Sequence, residues 1–274
     1  MNILTTVPLN NKIQIPQLGL GVYKSTEGEE AYNSVRWAIE AGYRHIDTAK
    51  AYKNEASVGR AVRDCGIPRS EIFITTKLWT GDMREDRQEE GFYESLTKLD
   101  VEYIDLYLIH WAVKDKYVES WKIMEGLYKK GLIRAIGVCN LNPHHIDTLM
   151  ETAEFTPVIN QIELNPLLSQ VPVSNYCLTK GIAVEAWSPL ARGRLVDHPF
   201  LTAMGASREK SAAQIILRWH LQHGRIVIPK SVHKDRIISN MDLYDFSLSD
   251  TEMGEIDALN QNMRFDHDPE SFTC

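Results

Sequence analysis

Short apolar, β-rich runs alternate along this chain with longer stretches of helical period. The strand candidates are Leu18 to Val22, Tyr43 to Asp47, Ile72 to Lys77, Ile104 to His110, Ile133 to Cys139, Val158 to Ile162, Ile182 to Ala186 and Ile226 to Pro229. Between them, Glu29 to Ala41, Ala56 to Cys65, Gln88 to Leu99 and Val118 to Lys130 read as helices. In the last of these Trp121, Met124, Leu127 and Tyr128 fall on one apolar face. Strands this continuously apolar predict a parallel sheet covered by helices. Eight such alternations close naturally into an α/β fold, a (β/α)8 TIM barrel; a doubly wound open sheet is the competing topology.

Ahead of the first barrel strand, Val7 to Pro16 reads as a hairpin turning at Asn10-Asn11, residues that tolerate the positive φ of tight turns. It is expected to close the N-terminal end of the barrel. Ser249-Asp250-Thr251-Glu252 has the capping serine and acidic first turn of a helix start. Beyond Asn262 the tail is short and polar, with Phe265 and Phe272 as its apolar points. No low-complexity segment or linker divides residues 1–274, so a single barrel domain is expected.

Composition narrows the class. A chain of 274 residues with 43% hydrophobic and 24% charged content has material for a large core and too little bias for disorder. The net charge of −7 argues against a general nucleic-acid or anionic-membrane binder. The opening Met1 to Thr6 lacks the pattern of a secretory signal, and no apolar run approaches the ~20 residues of a membrane span. Cys65, Cys139, Cys177 and Cys274 are scattered and read as reduced thiols. A cytoplasmic monomer acting on a small molecule is expected. His220 and His223 lack a companion ligand pair, so no metal site is expected.

In such barrels chemistry sits at the C-terminal ends of the strands. Asp47 ends the second strand and Tyr52 follows in its loop; Lys77 ends the third strand and His110 the fourth. Neighbouring strands lie about 4.8 Å apart, so these four side chains can meet at one rim. Singly they read as a cap, a packing residue, a surface charge and a core histidine; together they read as a site. A carbonyl reduced by hydride needs a proton at its oxygen, and a phenol can supply it despite a free pKa of ~10. Lys77 beside Tyr52 favours the phenolate and draws that pKa down. Asp47 holds Lys77 charged and oriented, and His110 pairs with Tyr52 in stabilising the substrate oxygen.

At these residues the sequence resembles the aldo-keto reductase superfamily. Gly42 to Ala49 (Gly-Tyr-Arg-His-Ile-Asp-Thr-Ala), with Tyr52 after it, looks like the family's first signature. Ile228-Pro229-Lys230-Ser231, running on to Arg236-Ile237 and Asn240, looks like its C-terminal one. The resemblance spans essentially the whole chain. It implies NADP(H) bound without a Rossmann domain and the Asp47, Tyr52, Lys77 and His110 tetrad. No complete Gly-x-Gly-x-x-Gly follows a strand; Gly19-Leu20-Gly21 reads as a close backbone approach.

Lys230, Ser231, Val232 and Arg236 follow the eighth strand, where barrels grip phosphate, and two cations there fit the 2′-phosphate of NADPH. By resemblance Asn240 contacts the adenine, Asn140 and Gln161 hold the nicotinamide carboxamide, and Trp187 stacks on its ring. Ser188 and Leu190 then border the pyrophosphate. Two departures stand out: Cys139 occupies a position where many relatives have serine, and Trp187 replaces a commoner tyrosine. The short Trp111-Ala112-Val113-Lys114 segment and the short tail predict an open pocket walled by Tyr23, Trp79, His110 and Trp111. These features are most similar to the bacterial branch of 2,5-diketo-D-gluconate and small-aldehyde reductases. The function implied is NADPH-dependent reduction of small aldehydes, glyoxals or keto-sugars. An NADPH-binding accessory subunit and an unrelated barrel lyase or isomerase are the rival readings.

Overall fold

Side chains alternate across a β-strand, and this alternation sorts the chain into two cores. The computed structural model describes residues 2–272; Cys274 lies outside them. Its strands are β1 (Thr6–Pro8), β2 (Gln14–Pro16), β3 (Leu20–Gly21), β4 (His45–Asp47), β5 (Phe73–Leu78), β6 (Ile104–Ile109), β7 (Ile133–Cys139), β8 (Ile159–Glu163), β9 (Ala183–Trp187) and β10 (Ile226–Val227). Strands β3 to β10 pair in chain order as one parallel, eight-stranded sheet.

The sheet closes on itself. Leu18 bridges Val227 and Gly21 bridges Lys230, both in parallel register. The Gly19 N–H donates to the Val227 carbonyl at 2.8 Å, and the Gly21 N–H to that of Pro229 at 3.1 Å. Glycine is required along this seam. A Cβ on Gly19 would lie 2.5 Å from His45 Nδ1, and one on Gly21 2.9 Å from the Ile228 carbonyl oxygen. The close approach expected of these glycines is therefore the closing seam, and the open-sheet topology falls away.

Outward-facing strand residues such as Ile46, Ile74, Tyr107 and Val138 join the helices in the larger core. Those helices include Glu29–Ala41, Glu55–Asp64, Gln88–Leu99 and Tyr117–Lys129, within one residue of the sequence-based bounds. Inward-facing Phe73, Leu106, Leu108, Ala135, Ile159 and Ile226 form the second core, joined by Leu9 and Ile15 of the hairpin. Strands β1 and β2 pair antiparallel across the N-terminal end of the barrel. Ile15 is fully buried there, a contribution of about 1.5–3 kcal/mol.

The hairpin turn differs from expectation in one respect. The positive φ, 71°, falls on Lys12 and not on the asparagines. Asn10 and Asn11 instead tie the hairpin to the barrel, donating to the carbonyls of Pro157 (3.0 Å) and Arg134 (3.1 Å). The connection is longer than a two-residue turn, which frees both asparagines for this work. Near the other end, Ser249 caps helix Asp250–Asp257 with the expected capping box. Among the described residues no helix is long and apolar enough to cross a membrane, and Cys65, Cys139 and Cys177 are free.

Candidate active site

Local chain geometry delivers the first site residues. Helix Glu29–Ala41 stops at Gly42, whose φ of 114° lets its N–H bond back to the Ala38 and Ile39 carbonyls. The chain then enters β4, where alternation turns His45 and Asp47 inward. Just beyond, Thr48 Oγ1 donates to Asn54 Oδ1 at 2.7 Å, and Asn54 Nδ2 donates to the carbonyls of Val22 and Ser25 at 2.9 Å each. Held between those ties, the 3-10 turn Lys50–Tyr52 sets Tyr52 at the mouth. Lys50 secures the turn from outside through Asp82 (2.7 Å) and Glu94 (2.8 Å).

Asp47, Lys77 and Tyr52 meet at the rim. Lys77 Nζ donates to both Asp47 oxygens at 2.7 and 2.8 Å, to the Thr48 carbonyl at 2.9 Å and to the Tyr52 hydroxyl at 3.4 Å. Lys77 is fully buried and Asp47 nearly so. Burial works against the Lys77 ammonium, but Asp47 and then Tyr52 outweigh it, and its pKa is raised. Burial likewise pushes the Asp47 carboxyl up, against the pull of Lys77 and Gln161. With four oxygens around Nζ, the charged pair is the favoured arrangement.

The phenol behaves differently from the sequence expectation. Lys77 does lower the Tyr52 pKa, but burial raises it by more, so the net shift is upward. Tyr52 is therefore protonated at neutral pH, with the Lys77 ammonium 3.4 Å from its oxygen. The His110 ring stands edge-on to Tyr52, centroids 5.8 Å apart. Burial, then Lys77, lowers its pKa to about 3. His110 is a neutral imidazole, fit to donate or accept a hydrogen bond and not to carry charge.

Across the barrel, Cys139, Gln161 and Glu185 lie in register on β7, β8 and β9. Gln161 Nε2 donates to Asp47 Oδ2 at 2.8 Å and to Glu185 Oε2 at 2.9 Å. Asn140, at a left-handed φ of 61°, donates to the His110 carbonyl at 3.2 Å and accepts from Trp187 Nε1 at 2.9 Å. Burial raises the Cys139 pKa well above its ordinary value, which leaves that residue an unreactive thiol. Sequence reasoning passed over Glu185 and His45. Strand alternation could have found Glu185, since it shares the parity of Trp187.

The remaining residues singled out from the sequence follow β9 and β10 along the chain. Ser188 takes a left-handed φ of 53°, and Leu190 follows. Lys230 and Arg236 are exposed and make no salt bridge among the described residues, while Ser231 and Asn240 are buried and Val232 is half-buried. Burial and then nearby charges, Glu30 raising and Lys24 lowering, leave the Lys230 pKa below its usual value.

Of the expected substrate walls, Tyr23 packs on Tyr52 with centroids 5.0 Å apart. Trp79 is 41% exposed. Trp111 is covered more than its short loop suggested, because Phe272 stacks on it at 4.1 Å with rings 10° apart. The tail reaches that point from Glu163, whose Oε1 accepts the Phe265 N–H at 2.9 Å. It is pinned again where Glu270 meets His144 Nε2 at 3.5 Å and the Asn142 amide. His144, His145 and Glu270 are the one group among the described residues whose potential metal-ligand atoms lie within 4.8 Å of one another. His145 Nδ1 is occupied by the Asn142 N–H, and we read the group as an anchor for the tail.

Residues 17–261 match the Aldo/keto reductase family. Over 265 residues the chain is 48% identical to a glyoxal reductase of Bacillus subtilis, covering 97% of this chain and 96% of that protein. It is 47% identical over 272 residues to the methylglyoxal reductase DkgA of Escherichia coli K12, covering 98% of each. Among solved structures, an aldo-keto reductase of Bombyx mori in complex with NADP superposes with a TM-score of 0.89 at 40% identity, covering 96% of this chain and 95% of that one.

Proposed function

The chain belongs to the aldo/keto reductase family, and from that premise we propose that it reduces small aldehydes and ketones, glyoxals foremost, with NADPH and with Tyr52 as the proton donor. The observation that carries this reading is the Lys77 ammonium seated between the Asp47 carboxylate and the Tyr52 hydroxyl.

The residues present fit a dinucleotide phosphate. Lys230 and Arg236 are cations without a salt-bridge partner among the described residues, on a chain of net charge −7, and suit the 2′-phosphate. Asn240, one helical turn after Arg236, would take the adenine, and Ser231, Val232, Ser188 and Leu190 would hold the phosphates. Asn140 and Gln161 offer amides to the carboxamide and Trp187 a face to the nicotinamide ring. When bound, NADPH supplies the hydride.

The protein's own part is to orient the carbonyl and protonate it. The Tyr52 hydroxyl and a His110 N–H, on neighbouring rings at the barrel mouth, would both donate to the oxygen that gains negative charge. As the carbon takes the hydride, Tyr52 passes its proton to that oxygen, and the phenolate left behind is held by Lys77. Asp47 keeps Lys77 charged, and burial strengthens each of these interactions. Tyr23, Trp79 and Trp111 provide apolar walls suited to a short carbon chain. That two relatives are named as glyoxal and methylglyoxal reductases supports taking dicarbonyls as the first substrates to try.

Following NADPH absorbance with glyoxal, methylglyoxal, aromatic aldehydes and keto-sugars tests the proposal. Consumption of NADPH with the dicarbonyls supports it. Tight NADPH binding without turnover on any of the panel would leave an accessory binding role instead.

A further inference from the structure

Glu185 sits fully buried inside the barrel, one strand from Gln161 and away from the reacting atoms. A carboxyl there is costly unless it is used, and the tetrad does not use it. Its one hydrogen bond among the described residues is the one Oε2 accepts from Gln161 Nε2 at 2.9 Å; Oε1 is without a partner among them. His45 Nε2 is 3.8 Å from Oε1, beyond hydrogen-bond range, and is engaged by Thr75 Oγ1 at 3.0 Å. Burial, then Lys77, holds His45 neutral with a pKa of about 3, so no ion pair explains the acid.

The geometry around Gln161 does explain it. An amide carries two N–H donors on one side and a carbonyl oxygen on the other. Asp47 takes one N–H and Glu185 the second. The oxygen faces elsewhere and, among the described residues, receives only the weak Cys139 thiol donor, at 3.6 Å. Turning the amide over would set that oxygen against two acid oxygens and leave both without their donor. Asp47 alone would fix one N–H and leave the side chain free to swing about it.

We propose that Glu185 is a positioning residue that locks the Gln161 amide with its oxygen toward the cofactor, so that Gln161 accepts a hydrogen bond from the NH2 of the nicotinamide carboxamide. The lock matters only if Gln161 holds the carboxamide, and so rests on the proposed function. It explains why an acid occupies a strand position otherwise suited to an apolar residue. Burial, with repulsion from Asp47, lifts the Glu185 pKa to about 8, so at neutral pH it accepts the Gln161 bond without adding a second full negative charge beside Asp47.

The test compares NADPH with 2′,5′-ADP, which carries the adenine and phosphate groups but no nicotinamide. Three variants are measured: Glu185→Met, close to glutamate in shape but without an acceptor oxygen; Glu185→Gln, which keeps one; and Gln161→Met. Losing the lock should cost Glu185→Met about tenfold in NADPH affinity and slow single-turnover hydride transfer, with 2′,5′-ADP binding unchanged. Glu185→Gln should restore most of the NADPH affinity. If Glu185→Met keeps its NADPH to 2′,5′-ADP ratio while Gln161→Met loses it, the role of Glu185 is overturned and the cofactor assignment stands. If Gln161→Met also keeps the ratio, the carboxamide assignment itself fails and takes this proposal with it. Equal weakening of both ligands in Glu185→Met marks a general structural role and overturns the proposal. Should Glu185→Met bind neither ligand, Glu185→Thr, suited to a strand and too short to reach Gln161, is read in the same way.

Discussion

Replacing Lys77 by methionine separates the two jobs of the lysine. The first is structural. Lys77 Nζ holds both Asp47 oxygens at 2.7 and 2.8 Å in a site closed to solvent. Removing one partner of a buried pair leaves an uncompensated charge, at a cost of about 3–5 kcal/mol. The second is chemical. At the 3.4 Å between Nζ and the Tyr52 oxygen, an ammonium and a phenolate attract by about 5 kcal/mol at an effective dielectric near 20. That is a ceiling on the help Lys77 gives as the proton leaves. Each 1.4 kcal/mol is about tenfold in rate, so kcat for methylglyoxal should fall by roughly a thousandfold. Urea denaturation and stopped-flow NADPH oxidation measure the two effects separately. The double variant Asp47→Leu/Lys77→Met removes both charges and should regain most of the lost stability while staying catalytically dead. A Lys77→Met enzyme within about tenfold of wild-type turnover, or a double variant whose turnover recovers with its stability, would refute the reasoning.

Other consequences follow from the same geometry. Arg236→Ala should weaken NADPH by at least about tenfold and NADH far less, since only NADPH carries the 2′-phosphate; equal losses in a binding titration would remove that assignment. Burial lifts the Glu185 pKa from 4.5 to about 8, so the folded state binds more protons than the unfolded one between those values. The stability linked to this proton is full below 4.5 and is lost as pH rises through about 8. Between about pH 6 and 9 the melting temperature of the wild type should therefore fall more steeply than that of Glu185→Gln, by an amount worth a few kcal/mol; parallel pH profiles would contradict the burial argument. Phe272→Ala removes the ring stacked on Trp111 and should raise KM for small aldehydes several-fold with little change in kcat, whereas unchanged steady-state constants would place that stack outside the pocket.

Much of the architecture was legible because the barrel imposes two periods on one chain. Helices such as Glu29–Ala41 and Gln88–Leu99 coincide with their apolar faces, and the strand ends put Asp47, Lys77 and His110 at one rim. The seam was harder to read. Strands β3 and β10 are two residues each, and the pairing between them depends on the space left by Gly19 and Gly21, which a hydrophobic pattern does not record. Contacts between residues distant in sequence were equally silent. Trp187 reaches Asn140 across 47 positions, and the tail returns over 102 to meet Glu163. The sign of the Tyr52 shift turned on burial outweighing a neighbouring charge, and only coordinates give the depth of a side chain. Glu185 was within reach, because counting alternate residues back from Trp187 puts an acid inside the barrel.

Tyr52→Phe tests the central claim most directly, because it removes one oxygen atom and keeps the ring that packs on Tyr23 and faces His110. In single-turnover experiments with NADPH and methylglyoxal, loss of the proton donor should slow reduction by about a thousandfold or more, with the dissociation constant for NADPH unchanged. Reduction by the phenylalanine variant at close to the wild-type rate would mean that the proton comes from elsewhere, and that Tyr52 and Lys77 are not the pair that delivers it.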